Sequence, residues 1–206
     1  MKSWIPATLF ACLFASTLPS AFGQSPASAT KELTLSAWGA ATGTYTGLGG
    51  GKNVGATAGV DIGIPHFTSF VPSVEFRGTW PFYRGNTDSL EEALGGVRVS
   101  RFYGQLHPYV DFLYGRTEIH YEDGGYINPA GTFLYTSSPS NVLSAGGGVD
   151  IEWSRSLALK ADLQWQHYDS PVVVSGHLNA VPLSIGVVYT FHFHSRPNPN
   201  PNASQP

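Results

Sequence analysis

Apolar and polar residues alternate along most of this chain. The pattern is clearest between Ser184 and Phe193, where every second residue is apolar and Val188 is the only apolar residue on the other face. A period of two residues indicates a β-strand with one apolar face. After the N-terminal region no stretch shows convincing helical periodicity, so the pattern predicts an all-β protein.

Alternating segments recur along the chain and predict eight β-strands. Each segment is long enough for a tilted strand to cross a bilayer. We therefore predict an eight-stranded antiparallel up-and-down transmembrane β-barrel over residues 32–193. A ten-stranded barrel is the alternative if Thr132–Thr136 or Val172–Ser175 extend the sheet. The eight predicted segments are 32–46, 53–64, 71–83, 93–103, 107–120, 141–153, 157–168 and 181–193.

Alternation alone does not tell which face of a strand is inside. A soluble barrel of the lipocalin type buries its apolar face, whereas a membrane barrel turns that face to lipid. The predicted polar face is built from Gly, Ser, Thr and charges of both signs with almost no Lys, and small residues suit the crowded interior of a narrow barrel. Aromatic residues gather at the ends of the apolar faces, as in the girdles of membrane barrels. They are Trp80, Phe82, Trp153, Trp165, Tyr189, Phe191 and Phe193.

The lengths of the predicted connections also favour a membrane barrel. Long outer loops and short periplasmic turns are typical of outer-membrane barrels. The loop 121–140 is rich in Tyr, Gly and Ser, a composition that suits adhesion but equally a generic solvated loop. With the N-terminus in the periplasm, the outer connections are 47–52, 84–92, 121–140 and 169–180, and the periplasmic ones are 65–70, 104–106 and 154–156.

Charged residues of both signs lie on the predicted interior face. Buried charges must be paired, and side chains fill the interior of an eight-stranded barrel. We therefore expect a salt-bridge network that closes the interior, and we expect neither open-pore conduction nor acid–base catalysis from these carboxylates. The predicted network comprises Asp61, Glu75, Arg77, Arg98, Asp111, Asp150, Glu152, Lys160 and Asp162.

The N-terminus has the pattern of an export signal. Lys2 precedes a mostly apolar run that ends at Leu18, and Ala21-Phe22-Gly23 supplies the small residues of a signal-peptidase site. We predict a cleaved signal peptide over residues 1–23, with Ala27-Ser28-Ala29 as a second cleavage option, and a short segment over 24–31. Export of a membrane barrel predicts a location in the outer membrane.

Two other features of the ends affect the interpretation. The only cysteine, Cys12, lies inside the apolar run, so the mature chain would have neither disulfide nor thiol chemistry. Its context loosely resembles a lipobox, in which Phe10 fits poorly. The Pro/Asn-rich residues 194–206 are predicted to be a disordered periplasmic tail.

The sequence offers little catalytic or ligand-binding chemistry. The formal net charge is -3, and no basic cluster provides a footprint for nucleic acid. His192 and His194 share a face, but no third ligand accompanies them, so no metal site and no cofactor are predicted. His167, Asp169 and Ser170 suggest a hydrolase constellation, yet Ser170 points away from His167 in an extended strand. We therefore expect no enzyme activity.

Two short segments carry a family resemblance. HPYVDFLYG at 107–115 and GVVYTF at 186–191 resemble the Pro-Tyr strand and the C-terminal signal of the small OmpA-like outer-membrane β-barrels of Gram-negative bacteria. The resemblance spans residues 32–193. It implies that the barrel-assembly machinery recognises the last strand through Gly186, Tyr189, Phe191 and Phe193.

The expected role is structural or interactive. We expect a monomer whose partners are outer-membrane lipid and lipopolysaccharide, with outer loops available to surface partners. Two alternatives remain at this point. One is a lipid-modifying barrel enzyme of the lipid A deacylase type, although its His-x-Ser-Asn motif is absent around His167. The other is a soluble periplasmic binding barrel of the lipocalin type.

Overall fold

The structure, a computed structural model, describes residues 34–64, 69–85, 87–122 and 124–191. Several predictions concern residues outside these ranges: the signal peptide, the segment 24–31, the tail 194–206, and the roles of His192, Phe193 and His194. Within the described ranges, no helix is long and apolar enough to cross a membrane.

Eight strands form one closed barrel in which every neighbouring pair is antiparallel. They follow one another around the barrel in chain order, and the last strand pairs with the first. The predicted eight-stranded up-and-down barrel is therefore confirmed. The barrel strands are β1 (Thr34–Thr46), β2 (Lys52–Gly63), β3 (Phe70–Tyr83), β4 (Asp88–Arg101), β5 (Leu106–Tyr121), β8 (Ser137–Glu152), β9 (Leu157–Asp169) and β10 (His177–Phe191).

A separate small hairpin lies in the connection between β5 and β8. It consists of β6 (Tyr126–Ile127) and β7 (Leu134–Tyr135), which pair only with each other. The ten-stranded alternative is therefore wrong for the described residues. Residues 172–175 form turns and a bend and add no strand.

Three strands begin earlier than predicted at the end where the outer loops lie. β4 starts at 88 instead of 93, β8 at 137 instead of 141, and β10 at 177 instead of 181. In these segments both faces carry polar or mixed residues, so hydropathy does not alternate and gives no signal of a strand. The backbone hydrogen bonds between the strands nevertheless continue through them. The strands thus extend beyond the apolar band, and the outer connections are shorter than predicted.

The apolar faces of the strands point outward and the polar faces point inward, as predicted for a membrane barrel. Ile185 is 66% exposed on the outside and Phe76 is 52% exposed, whereas Glu75 and Ser144 are fully buried inside. This is the opposite of a soluble lipocalin-type barrel, whose apolar face would be the buried one.

The seam between β1 and β10 is bonded by hydroxyl groups as well as by the backbone ladder. Thr42 Oγ1 lies 2.8 Å from Ser184 Oγ across the seam and 2.6 Å from Thr57 Oγ1 on the next strand. Thr57 Oγ1 continues the chain to Thr79 Oγ1 at 2.9 Å. Small hydroxyl side chains therefore connect four adjacent strands through the interior.

A small residue is required at Gly59, which lies against the buried Trp38 ring. A β-carbon there would lie 2.6 Å from the ring of Trp38 and 2.8 Å from the carbonyl oxygen of Phe76. We expect Gly59→Ala to destabilise the barrel by about 1–3 kcal/mol through overpacking. Gly43→Ala is the matched control because nothing lies within 4 Å of the position that a β-carbon would take there. Urea unfolding of the detergent-folded protein measures both; equal midpoints for the two variants would contradict the packing described here.

Candidate functional site

Arg77 on β3 is the centre of a first group of buried ion pairs. Its Nε donates to Glu75 Oε1 at 2.7 Å, its Nη1 to Asp162 Oδ1 at 3.0 Å and its Nη2 to Asp111 Oδ2 at 3.1 Å. All four side chains are almost fully buried. Because β3 and β9 lie on opposite sides of the barrel, the guanidinium of Arg77 braces the interior across its full width.

Arg98 on β4 is the centre of a second group, closer to the end that carries the short connections 102–105 and 153–156. This end is the one predicted from the sequence to be periplasmic, and it is called the periplasmic end below. It donates through Nη1 to Asp61 Oδ2 at 3.0 Å and through Nη2 to Asp150 Oδ2. Its Nη1 also lies 4.0 Å from Glu75 Oε2, which joins the two groups into one network. Lys160 contributes a third cation, with Nζ 3.8 Å from Asp150 Oδ1.

Two aromatic rings support the cations of this network. The Tyr109 hydroxyl donates to Asp162 Oδ2 at 2.7 Å, and Arg98 Cζ lies 3.6 Å from the centre of the Tyr109 ring. Lys160 Nζ lies 4.2 Å from the same ring and 4.5 Å from the Trp38 ring. Cation–π contacts of this kind are strong where water is excluded. Trp38 faces inward and is buried, so β1 carries a large apolar side chain on its otherwise polar interior face.

The structure brings eight of the nine predicted network residues together and separates the ninth. Glu152 lies on the interior face but at the open periplasmic rim, where its side chain is 42% exposed and lies 3.8 Å from His107 Nε2. It makes no ion pair with Arg77, Arg98 or Lys160 among the described residues. The prediction that Glu152 belongs to the buried network is wrong because β8 ends at this residue.

Several buried polar residues of the interior were not predicted as part of the network. Gln164 Nε2 donates to both Asp111 and Asp162 at 3.0 Å, and Gln166 Nε2 donates to Glu92 Oε2 at 2.8 Å. Glu92 escaped the prediction because the predicted fourth segment began at 93. Glu92 and Arg98 are separated by an even number of positions, so they lie on the same face of the strand. A longer predicted strand would therefore have placed Glu92 inside.

An apolar cluster lies in the outer half of the interior, so the predicted polar interior is polar only in part. The cluster shares this half with buried polar side chains, among them Asp88, which accepts a hydrogen bond from Thr46 Oγ1, and Glu92, which accepts one from Gln166. Hydrogen bonds of this kind offset the cost of burying a carboxyl group without a cation beside it. The apolar cluster comprises Leu48, Leu90, Leu94, Leu113, Ile119, Tyr121, Val142, Tyr168, Val172, Leu178 and Ala180.

A cavity of about 370 Å³ opens at the periplasmic end and stops at the charged network. Asp61, Arg98 and Asp150 form its floor, and His107 and Glu152 lie at its rim. Above this floor the interior is occupied by the ion pairs and then by the apolar cluster. The arrangement suits a braced, filled barrel better than a channel.

The residues that suggested hydrolase chemistry lie on opposite sides of the barrel wall. The His167 ring faces outward, with Nδ1 2.9 Å from Asn179 Oδ1. Ser170 is buried, and its Oγ lies 3.0 Å from the Tyr121 hydroxyl. Within the described ranges, no group of three or more His, Cys, Asp or Glu side chains is arranged to hold a metal ion.

The predicted assembly signal lies on β10, which closes the barrel. Tyr189 and Phe191 face outward at the periplasmic end, and their rings meet edge to face at 4.9 Å. A β-carbon at Gly186 would lie 2.1 Å from the carbonyl oxygen of Gly39 on β1. Gly186 therefore allows close approach of the first and last strands.

Comparison with known proteins identifies the fold. No family model matches the chain, and no curated protein sequence matches it. Among solved structures, Neisserial surface protein A (NspA) is similar, with a TM-score of 0.51 and 16% identity over 77% of this chain and 97% of NspA. The chain has the fold of the eight-stranded outer-membrane barrels. At this level of identity the likeness concerns the fold alone.

Two further solved structures have lower scores. Ail, the attachment invasion locus protein of Yersinia pestis, has a TM-score of 0.47 and 12% identity over 78% of this chain and 99% of Ail. The N-terminal β-barrel domain of Pseudomonas aeruginosa OprF has a TM-score of 0.42 and 18% identity over 78% of this chain and 100% of that chain.

Breaking the network should be costly because it leaves buried charges without partners. Arg77→Met would leave Glu75, Asp111 and Asp162 without their shared cation, and we expect a loss of about 3–5 kcal/mol in the free energy of unfolding. The matched control is Arg84→Met, whose ion pair with Glu122 is exposed and 3.9 Å long, for which we expect a loss below about 1 kcal/mol. Urea titration of the detergent-folded variants measures the free energy of unfolding. If Arg77→Met loses no more of it than Arg84→Met, the buried ion pairs do not stabilise the barrel.

Proposed function

We propose that this protein is an outer-membrane β-barrel of the OmpA-like type whose role is structural and interactive, with outer loops that contact surface partners. The observation that carries the proposal is a continuous outward-facing apolar band bordered by aromatic rings at both ends. Such a band requires hydrocarbon around it, and aromatic girdles mark the two interfaces of membrane barrels. The girdle at the loop end includes Tyr45, Trp80, Phe82 and Trp165, and the other includes Phe70, Trp153, Tyr189 and Phe191.

The lengths of the connections support an orientation with residues 122–136 outside. The connections at that end reach 15 residues at 122–136, whereas those at the other end are the short segments 64–69, 102–105 and 153–156. The predicted signal peptide and the placement of Gly186, Tyr189 and Phe191 on the closing strand support export and recognition by the assembly machinery. We propose a monomer that contacts outer-membrane lipid and lipopolysaccharide.

The longest outer loop presents apolar side chains on a rigid support. Ile127, Phe133 and Leu134 are each at least 60% exposed, and they lie on or beside the β6–β7 hairpin. Asn128 Oδ1 accepts hydrogen bonds from the backbone N–H of Thr132 and of Phe133 at 2.8 and 3.1 Å, which holds the turn. Exposed apolar residues on an ordered loop favour contact with a surface partner over a purely solvated loop.

The filled interior supports a structural role for the charged network. We do not propose conduction or catalysis, because the ion pairs and the apolar cluster occupy the barrel and His167 and Ser170 lie on opposite faces.

The membrane location has a direct test. We expect the exported protein to sediment with outer membranes and to need detergent for extraction. On a gel without boiling, the folded barrel should migrate differently from the boiled protein, because a closed barrel resists detergent unfolding. Recovery in the soluble periplasmic fraction without detergent would contradict the proposal.

Substitutions on the two faces test the same proposal at the level of residues. Val60 and Leu163 face outward, so Val60→Arg or Leu163→Arg places a charge in hydrocarbon and should cost about 2–4 kcal/mol near the midplane. The control is Thr57→Ser, which keeps the interior hydroxyl bonded to Thr42 and Thr79. The fraction of protein inserted into lipid vesicles measures the effect, and equal insertion of all three variants would contradict the assignment of the outer face.

A further inference from the structure

The buried charged network contains more carboxylates than cations. Arg77, Arg98 and Lys160 supply three positive charges against five carboxylates, so the ionised network has an excess of two negative charges. Unpaired charge is costly inside a protein, and the network therefore favours the binding of a further cation. The five carboxylates belong to Asp61, Glu75, Asp111, Asp150 and Asp162.

The cavity at the periplasmic end reaches this network at two of its carboxylates. Asp61 and Asp150 form part of the cavity floor and are only 8% and 7% exposed. Each of them accepts a hydrogen bond from Arg98 through Oδ2, whereas its Oδ1 has no hydrogen-bond partner in the described part of the chain. Lys160 Nζ, at 3.8 Å from Asp150 Oδ1, is too distant to donate one. Two buried acceptors beside the cavity thus lack a donor.

An ammonium group meets both requirements of the cavity floor. Water would satisfy the two acceptors but would leave the excess of negative charge unchanged. An ammonium group supplies a positive charge together with three hydrogen-bond donors. It also needs no set of metal ligands, and the described residues bring no such group of His, Cys, Asp or Glu side chains together.

The rim of the cavity has a second anionic position. Glu152 follows Asp150 by two residues on the same face of β8, which places it about 7 Å nearer the mouth. Its side chain is 42% exposed, and its carboxylate lies 3.8 Å from His107 Nε2. Arg155 also lines the mouth, so the excess of negative charge is larger at the floor than at the rim.

The wall of the cavity is apolar in part. Val71, Ala158 and Val188 line it together with hydroxyl groups. Ala158 is paired with both Glu152 and Val188 in the barrel register, so this part of the wall lies at the level of the rim carboxylate. The cavity therefore combines two anionic positions at different depths with apolar surface on its wall.

We propose that this cavity binds an aliphatic diamine, with one ammonium group at Asp61 and Asp150 and the other at Glu152. The methylene chain contacts the apolar wall. A short diamine such as putrescine spans about the distance between the two anionic positions, and a cavity of about 370 Å³ has room for it. The inference goes beyond the proposed surface contacts and does not depend on them, because the cavity and the network lie inside the barrel.

Charge substitutions at the two anionic positions test the proposal. The full chain, folded in an uncharged detergent, is titrated by isothermal calorimetry with putrescine and, for comparison, with the monoamine butylamine. We expect Asp150→Asn to weaken putrescine binding about tenfold or more. Glu152→Gln should weaken putrescine binding about threefold, because the rim is partly exposed, and should leave butylamine binding unchanged.

The matched charge control is Glu91→Gln. Glu91 is 46% exposed and lies 3.9 Å from His120 Nε2, an environment close to that of Glu152 but outside the cavity. We expect this variant to bind both amines as the wild type does. A loss of putrescine binding in Glu91→Gln as large as that in Glu152→Gln would contradict a role for the rim carboxylate.

A steric variant tests the cavity without a change of charge, and it also serves if Asp150→Asn does not fold. Ala158→Phe places a ring in the cavity, and we expect it to weaken the binding of both amines about tenfold or more. Ala161→Phe, three residues further along β9, adds the same ring to a residue that does not line the cavity and should leave binding unchanged. Each variant is measured as protein that shows the gel shift of a folded barrel.

The outcomes separate the proposal from its alternatives. Weaker binding in Ala158→Phe and Glu152→Gln, but in neither control, supports a diamine in the cavity. Equal putrescine binding by wild type and Ala158→Phe overturns the site, and equal affinity of the wild type for putrescine and butylamine overturns the second ammonium position. Absence of saturable binding up to about 10 mM putrescine overturns the proposal as a whole, and saturable binding of Mg²⁺ in its place would assign the cavity to a metal ion.

Discussion

Satisfaction of backbone hydrogen bonds is the constraint on which the rest of this structure depends. A sheet edge that faces hydrocarbon has no water to bond its N–H and C=O groups, so the sheet has to close on itself. Here β1 and β10 pair from Leu35↔Phe191 to Thr46↔Ala180, and Gly186 keeps their backbones close.

Closure creates a narrow interior, and the narrowness dictates what that interior contains. Charged groups that water reaches poorly must find each other, and the two arginines and Lys160 collect the carboxylates of five strands into one connected network. The outer half of the interior holds an apolar cluster together with buried carboxyl groups, Asp88 and Glu92, that are held by hydrogen bonds. The interior thus combines an ion-pair network nearer one end with an apolar cluster nearer the outer loops, and both brace the wall.

Because side chains fill most of the interior, contact with lipid and with surface partners is proposed at the outer surface of the barrel. The wall presents an apolar band, and the loop end presents a hairpin with exposed apolar residues. These surfaces have different environments, since the wall faces lipid and the hairpin faces solvent or a partner. Lipid contact is therefore proposed for the wall, and contact with a surface partner is proposed for the hairpin.

The sequence by itself determined the all-β class and the face of most residues, because a period of two is a local property of a strand with two different environments. It left eight and ten strands open, and the pairing of the strands decided for eight. The interior position of Glu75, Arg77 and Arg98 followed from the same parity. Only the tertiary structure decided which charges pair, since partners such as Arg77 and Asp162 are 85 residues apart and meet across the barrel. It also excluded Glu152 from the network and placed Glu92 in the interior beside Gln166, because strand ends depend on ladder bonds that hydropathy does not record.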